Sequence, residues 1–433
     1  MTEWASWAFP VFAVATWIGV PLYAAISRGR FYAIFAAVIL TFSIPSAWVL
    51  HGRLGALWTG PGSEPIRLLL DGLFAYSMAA AGVQLAHLVR ARLRRRTFRL
   101  LVSVPGQTFI AAGMLAFPWL LLLLPIRLLL SAFDLHEALV ALTIVEALPL
   151  AVAVLSIATS AATKPETVRF ALARQGPDEM RRVPVQRFRG REPDPLADRP
   201  LRIVQLTDTH LGPWQSVRRL RERIEALVER DPDLVALTGD FLTMESMGSP
   251  GCLEEAMAPL AEIADRCVAI FGNHDHEAPD HVLTAMKRLD IRLLIDDETC
   301  FDTEAGAIQV VGADFVQRDH ETHLGELLRR FPRRPNHLRL LLLHDPVGFR
   351  ALPRDDVDLV LSGHTHGGQV GLVSLGFDWT VLSRTRWPDQ GLFALGASRL
   401  YVHRGTGFYG FPLRVGVPAE LSVLEIRSGS EAE

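Results

Sequence analysis

Five short runs in the second half of the chain carry side chains that could do chemistry. They are Thr207-Asp208-Thr209-His210, Thr238-Gly239-Asp240, Phe271-Gly272-Asn273-His274-Asp275, His344-Asp345 and Gly363-His364-Thr365-His366-Gly367-Gly368. Each offers a carboxylate, imidazole or carboxamide able to give a lone pair to a cation, and none contains cysteine. Such mixed oxygen and nitrogen donors suit hard or borderline divalent ions, Mn, Fe, Zn or Mg, better than a thiolate-loving site. Residues two apart on an extended chain project to the same side, so Asp208 with His210, and His364 with His366, can each grip one ion. Thr209 and Thr365, lying between them, should point away. Glycines before Asp240, Asn273 and His364 open backbone conformations and close approaches that other residues cannot reach.

Taken singly these signals are weak. An Asp-x-His triplet is more often a turn, and a lone His344 is more often a capped or surface histidine. Their force comes from position, because each falls where a short apolar run ends. Those runs, 201–207, 233–238, 267–271, 291–295, 307–312, 338–343 and 357–361, read as strands alternating with amphipathic helices, the pattern of β-α-β units. Between the first two, Leu220, Ile224, Leu227 and Val228 recur at helical spacing amid Arg and Glu, so one helix face packs and the other meets water. Strand ends are where α/β folds bind ligands. The alternation alone gives the class α/β and no more.

In this order the motifs DxH, GD, GNHD, H and GHxH resemble the calcineurin-like metallophosphoesterases, over about residues 201–425. The Gly363–Gln369 run GHTHGGQ, with Gly391-Leu392-Phe393 and the Leu400–Gly407 segment, is similar to the membrane-associated YkuE-type branch. That branch includes members acting on lipid-linked pyrophosphates such as UDP-diacylglucosamine. The resemblance implies an αββα sandwich, two facing mixed sheets flanked by helices.

It also implies a ligand set. Asp208, His210 and His366 would hold one of two divalent metal ions, Asn273, His344 and His364 the other, and Asp240 would bridge them. Two cations about 3.5–4 Å apart would polarise a phosphoryl group and lower the pKa of a water so that hydroxide is present near neutral pH to attack phosphorus. His274 would face the leaving-group oxygen as a proton donor or charge stabiliser, with Asp275 orienting its imidazole. Asp345 reads as a turn residue or a support to a ligand, and His276 as a loop or surface histidine. Arg404 is a weak candidate for contact with an anionic substrate, a structural ion pair being an equal reading. The family often has a hydrophobic residue near Thr406, so that segment's role stays open.

The first half is of another kind. A bilayer core of roughly 30 Å takes about 20 mostly apolar residues as a helix. Segments 6–26, 31–50, 68–89, 108–130 and 139–160 meet that test, giving five spans with four as the alternative. The first reads as an anchor, since no basic leader or small-residue cleavage site flanks it. Arg28 and Arg30 follow it, and Arg90, Arg92, Arg94, Arg95, Arg96 and Arg99 lie between the third and fourth spans, which predicts that both loops are cytoplasmic. The 131–137 loop carries Asp134 and Glu137 and no basic residue. An odd span count then returns the chain to the cytoplasm, where Lys164, Arg169 and Arg174 follow the last span. Asp71, Arg127 and Glu146 fall within or at the ends of spans, where a charge is expensive and is either functional, near a headgroup or paired within the bundle. Pro118, Pro125 and Pro149 read as tolerated kinks.

The expected organisation is therefore an all-α transmembrane bundle over 1–162, a linker over 163–200, the phosphoesterase domain over 201–427 and a disordered tail over 428–433. Only Thr167–Ala171 within the linker looks β-like. The 433 residues carry a net charge of −3, and since residues 1–162 balance at +5, the remainder stands at −8. An acidic soluble half is a poor generic grip on phosphate backbones, which counts against a nuclease. Three irregularly spaced cysteines, Cys252, Cys267 and Cys300, make no disulfide framework and fit a reducing compartment. The reading these features favour is a multi-pass cell-membrane protein bound to the lipid bilayer, with a cytoplasmic, metal-dependent phosphoesterase acting on a phosphoester or pyrophosphate, preferably a lipid-linked one. The alternative is a membrane sensor or transporter whose phosphoesterase-like domain binds a phosphorylated ligand without hydrolysing it.

Overall fold

Apolar runs that are hydrophobic on every face need a hydrophobic surrounding, and in this chain they become long helices. The computed structural model describes residues 2–428 apart from 162, 164, 173, 174, 191, 192, 195, 197, 409, 411 and 412. Ser428, expected to open the tail, ends the strand Ser422–Ser428, while the rest of that tail, 429–433, and Lys164 and Arg174 after the last span lie outside the described residues. Residues 1–159 make up one compact unit and nearly all of the rest a second.

In the first unit Ser6–Ser27, Arg30–Ala56, Glu64–Leu88, Arg96–Ala132 and His136–Ile157 are each long and apolar enough to cross a bilayer. This is the all-α, multi-pass bundle expected. Its fourth span starts earlier than the sequence indicated. Arg96 and Arg99, expected in a basic loop, begin the helix through a π-helical turn at Arg99–Ser103. Phe9, Phe74 and Phe109 interlock edge to face at the centre, with ring centroids 5.4 and 5.5 Å apart. Trp7, Ile18, Leu69 and Leu122 stay on the outer surface, where a bilayer would cover them.

The charges inside the spans are paired. Buried Glu146 accepts from Arg53 at 2.6 Å and from Arg127 at 2.7 Å, and Asp71 lies 2.7 Å from the His51 imidazole. Pairing is how a bundle accommodates groups whose desolvation alone would exclude them. His51 and Arg53 had not been singled out in the sequence, because neither reveals its partner locally.

The second unit is the two-sheet sandwich. One sheet runs in the order Gln186–Arg189, Glu166–Leu172, Ser422–Ser428, Leu201–Leu206, Leu234–Leu237, Cys267–Ala269, Arg292–Leu293. The other runs Arg181–Val183, Gly391–Leu395, Ser398–Val402, Leu359–Ser362, His337–Leu342, Gly306–Gly312, Asp297–Thr303. Leu201–Leu206, Leu234–Leu237 and Cys267–Ala269 are mutually parallel. Their connections must therefore cross over, and the Val217–Val228 helix makes the first crossing with Leu220, Ile224 and Leu227 fully buried and Ser216 capping its N-terminus. Ile203, Ala236 and Val268 from the first sheet meet Val310, Leu340 and Leu361 from the second in one core. Each such buried Val, Leu or Ile side chain contributes about 1.5–3 kcal/mol relative to exposure.

The segment expected as a linker is part of this sandwich. Glu166–Leu172 pairs with Ser422–Ser428 in parallel and with Gln186–Arg189 antiparallel, and Arg181–Val183 extends the second sheet. Glu166 and Arg187, from these strands, join Arg404, Glu420 and Tyr401 in a buried ionic network. Arg404 is bonded to Glu166 and lies 3.2 Å from Glu420, while Arg187 is 3.0 Å from Glu166. The Tyr401 hydroxyl donates to Glu420. Arg404, 1% exposed, is thus the structural ion pair of the two readings.

Removing one partner of a buried pair strands the other charge, at about 3–5 kcal/mol. Glu166→Ala in the detergent-solubilised full chain is expected to lose about that much in urea unfolding. Glu304→Ala, which removes the 80% exposed partner of Arg199, is expected to lose about 0–1 kcal/mol.

Candidate metal centre

The strand ends deliver their ligands into two adjoining groups. Asp208, His210 and His366 form one and Asp240, His344 and His364 the other, with ligand atoms in each group within 4.8 Å of one another. Asp208 Oδ1 is 3.2 Å from His366 Nε2 and 3.9 Å from His210 Nε2, and the two imidazole nitrogens face each other at 3.1 Å. In the second group Asp240 Oδ2 is 3.2 Å from His344 Nε2, and Asn273 Oδ1 is 2.9 Å from His364 Nδ1. The same Asp240 oxygen is 3.8 Å from His210 Nε2, so this carboxylate stands between the groups.

The backbone is bent to achieve this. Asp208, His210, Asp240, His364 and His366 all have positive φ, between 41° and 70°. Left-handed conformation costs a side-chain-bearing residue about 1–2 kcal/mol, and such strain collects at functional sites. Close approach needs glycine as well. A Cβ on Gly239 would meet the Gly272 amide nitrogen at 2.3 Å, and one on Gly363 would meet Asp208 Oδ2 at 2.2 Å. The threonines between ligands turn outward, Thr209 Oγ1 donating to the Phe241 carbonyl and Thr365 Oγ1 to that of Asp389.

The donor set fits divalent cations. His344 Nδ1 bonds the Thr238 carbonyl at 2.7 Å, which fixes the proton there and leaves Nε2, buried and without a hydrogen bond of its own, aimed at Asp240. Burial opposes ionisation of Asp208 and Asp240, yet the His366 and His344 imidazoles beside them hold both well below the usual carboxylate range. For His344 burial likewise opposes charge, but Asp240 outweighs it and pushes the imidazole up to about 10. Burial brings His210 down to about 3, a neutral ring with a lone pair to give. Asp240, which recruits a proton onto His344, stands where a divalent cation can take that proton's place.

The family model for calcineurin-like phosphoesterases matches residues 201–368. Escherichia coli phosphodiesterase YaeI is 28% identical over 232 residues, covering 52% of this chain and 82% of its own. The uncharacterised metallophosphoesterase YkuE of Bacillus subtilis is 28% identical over 237 residues, 52% of this chain and 79% of its own. A bovine transmembrane protein with a metallophosphoesterase domain is 30% identical over 265 residues, 57% of this chain and 56% of its own. Residues 201–368 of this chain are a calcineurin-like phosphoesterase domain. It groups with the YkuE-type members, and as a class these are metal-dependent phosphoester hydrolases.

Two residues of the phosphoesterase domain act differently from expectation. Asp275 does not orient His274. Its buried carboxylate accepts from the amides of Asp240 at 2.7 Å, Phe241 at 2.9 Å and Gly272 at 2.8 Å, stapling the Asp240 loop to the Asn273 loop. Burial and the Asp240 charge push this carboxyl up to about 7, against the three donors that favour its ionised form. The His274 imidazole is held instead by Glu277, 2.7 Å from Nδ1, across the short 3-10 turn Asp275–Glu277. Burial tends to discharge His274, but the Glu277 carboxylate outweighs it and raises the imidazole. The i, i+3 spacing of His274 and Glu277 was the sequence signal that could have found this partner.

His276 is exposed and paired with Asp314 at 2.9 Å, and Asp345 caps the turn at Pro346 by accepting from the Val347 amide. A cleft of about 880 Å³ opens beside Asn273 and His364, walled by Phe315, Gln317, Arg318, His320, Asp345, Arg386 and Trp387 among others. Of these walls the sequence had marked only Asp345.

Asp275→Asn places an amide donor against amide donors, at about 1–3 kcal/mol. It is expected to lower bound metal, measured by plasma mass spectrometry on the purified full chain. Glu277→Gln is expected to keep metal content and melting temperature while reducing kcat about 10–100-fold, the scale known for outer partners that orient histidines at metal sites.

Proposed function

We propose that this multi-pass membrane protein hydrolyses a phosphoester or pyrophosphate through two divalent cations held by Asp208, His210 and His366 on one side, Asn273, His344 and His364 on the other, and Asp240 between. The observation that carries this is the position of Asp240, whose one carboxylate oxygen lies 3.2 Å from a nitrogen of the second group and 3.8 Å from a nitrogen of the first. Bound cations supply Lewis acidity toward a phosphoryl oxygen and acidify water near neutral pH. Mn, Fe, Zn and Mg all suit these donors.

The protein's own groups do the rest. His274 stands at the rim of the centre, its ring centroid 5.8 Å from that of His210 and its own amide bonded to Asp240 Oδ1 at 2.9 Å. Its raised imidazole can hold a proton for the leaving oxygen, and Glu277 fixes the ring's orientation and steadies the charge. A domain that only bound a phosphorylated ligand would have no use for this pair. Arg318 and Arg386 in the cleft wall offer charge to an anionic group, while Phe315, Val347 and Trp387 offer apolar surface to what is esterified with it. An amphiphilic, lipid-linked phosphate matches both. The basic residues after the first span and between the third and fourth support a cytoplasmic phosphoesterase domain.

Full-length protein in detergent with manganese, assayed on p-nitrophenyl phosphate, a bis-ester and a nucleotide-linked lipid pyrophosphate, is expected to hydrolyse at least one. His274→Ala is expected to lower kcat on it about 10²–10⁴-fold with metal content unchanged. Hydrolysis at the wild-type rate in that variant would remove His274 from the chemistry, and its persistence in Asp240→Asn would remove the metal centre.

A further inference from the structure

Soluble surfaces scatter their exposed apolar side chains, and a contiguous set marks an interaction site. In the phosphoesterase unit eight large apolar side chains are exposed among the described residues. Six of them, Leu372, Leu375, Phe377, Trp379, Val381 and Trp387, fall within sixteen consecutive positions. The other two, Leu283 and Ile295, lie elsewhere. Leu375 is 71% exposed and Phe377 60%.

This stretch is held out by the fold. The Leu372 amide donates to the Trp379 carbonyl at 2.8 Å and Val381 to Val370 at 3.0 Å, closing a loop. Ser374 donates to the Gly416 carbonyl at 2.8 Å, and buried Thr380 donates through Oγ1 to Asp389 at 2.6 Å. Water-facing Leu375 and Phe377 gain nothing from so fixed a backbone unless something apolar receives them. The same loop carries Arg384 and Arg386 against a single acidic residue, Asp378, and Arg350 donates to the Arg386 carbonyl. Arg386 and Trp387 then continue into the wall of the catalytic cleft.

Apolar tips with tryptophan and arginine at their base have the composition of segments that rest in the headgroup region of a bilayer. A bilayer is at hand throughout this protein's life, because the same chain carries five membrane helices. We propose that residues 372–387 are an interfacial loop that seats its apolar side chains in an anionic bilayer surface and presents lipid headgroups to the adjoining cleft. The consequence for substrate class, phosphoesters standing at a membrane surface, rests on the hydrolase reading given above. The loop's insertion does not.

Two measurements on the full chain test this. Phe377→Cys in a Cys300→Ser background, the other two cysteines being buried, takes an environment-sensitive fluorophore at the loop tip. In proteoliposomes of phosphatidylcholine with phosphatidylglycerol, nitroxide-labelled lipids should quench it, and more strongly than without phosphatidylglycerol. A label that stays in water in both overturns the proposal, whatever the enzyme's activity, and leaves a protein partner as the occupant. Second, Leu375→Asp with Phe377→Asp should lower kcat/KM about tenfold on a phospholipid-type ester in vesicles and leave a water-soluble p-nitrophenyl ester unchanged. Equal loss on both substrates, or on neither, overturns it. If wild-type protein cleaves no phosphoester at all, the hydrolase reading falls while the quenching result still decides the loop.

Discussion

Asp208 and Asp240 are carboxylates with essentially no contact with water, and the rest of the phosphoesterase unit answers to that fact. An isolated buried carboxylate is untenable, so positive charge must lie within a few ångströms. The chain supplies four imidazoles from three loops, and imidazoles are also what a divalent cation takes as ligands. Both sheets contribute, with Asp208 and Asp240 following strands of one and His344, His364 and His366 following strands of the other. The two-sheet core therefore does more than stabilise. It fixes the separation of loops whose side chains would otherwise repel or hydrate.

Local positioning then depends on a carboxylate that never meets substrate. Asp275 gathers three backbone amides from two loops, and those loops carry Asp240 and Asn273. His274, next to it in sequence, faces the other way and relies on Glu277. Adjacent residues in a tight turn project in different directions, which is why the Asn-His-Asp run suggested one hydrogen-bonded unit and folding produces two.

What could be read in the sequence was what is encoded locally. The two-residue spacing put Asp208 with His210, although both lie past the strand end in left-handed backbone and not on an extended strand; apolar runs marked the seven strands that carry or flank the ligands, and long uniform hydrophobicity marked the five spans. What escaped was encoded at a distance. Thr167–Ala171 looked β-like, but nothing local showed that Glu166–Leu172 joins the sandwich beside Ser422–Ser428, some 256 residues away, and the short polar strands Arg181–Val183 and Gln186–Arg189 have no periodicity strong enough to announce themselves. Arg404 looked able to meet an anion because nothing near it in sequence shows Glu166 or Glu420. Arg127 and Glu146 likewise look anomalous until the bundle brings Arg53 to them.

Charge in the soluble half is distributed against its average. Residues 163–433 sum to −8, yet the cleft wall sets Arg318 and Arg386 beside Asp319 and Asp345, and its neighbouring loop adds Arg384. Beyond a Debye length of about 8 Å at physiological salt a net negative field neither attracts nor repels strongly, while nearby arginines act within that range. Such an enzyme gains little from long-range steering of a dissolved anion. It gains more from a substrate confined to the same plane as itself, where encounter is two-dimensional and only the last few ångströms need electrostatic selection. On the lipid-linked reading proposed above, anchoring the phosphoesterase domain to five apolar helices and placing Arg318, Arg384 and Arg386 at and beside its cleft serve one end, the capture of an anion that arrives by lateral diffusion.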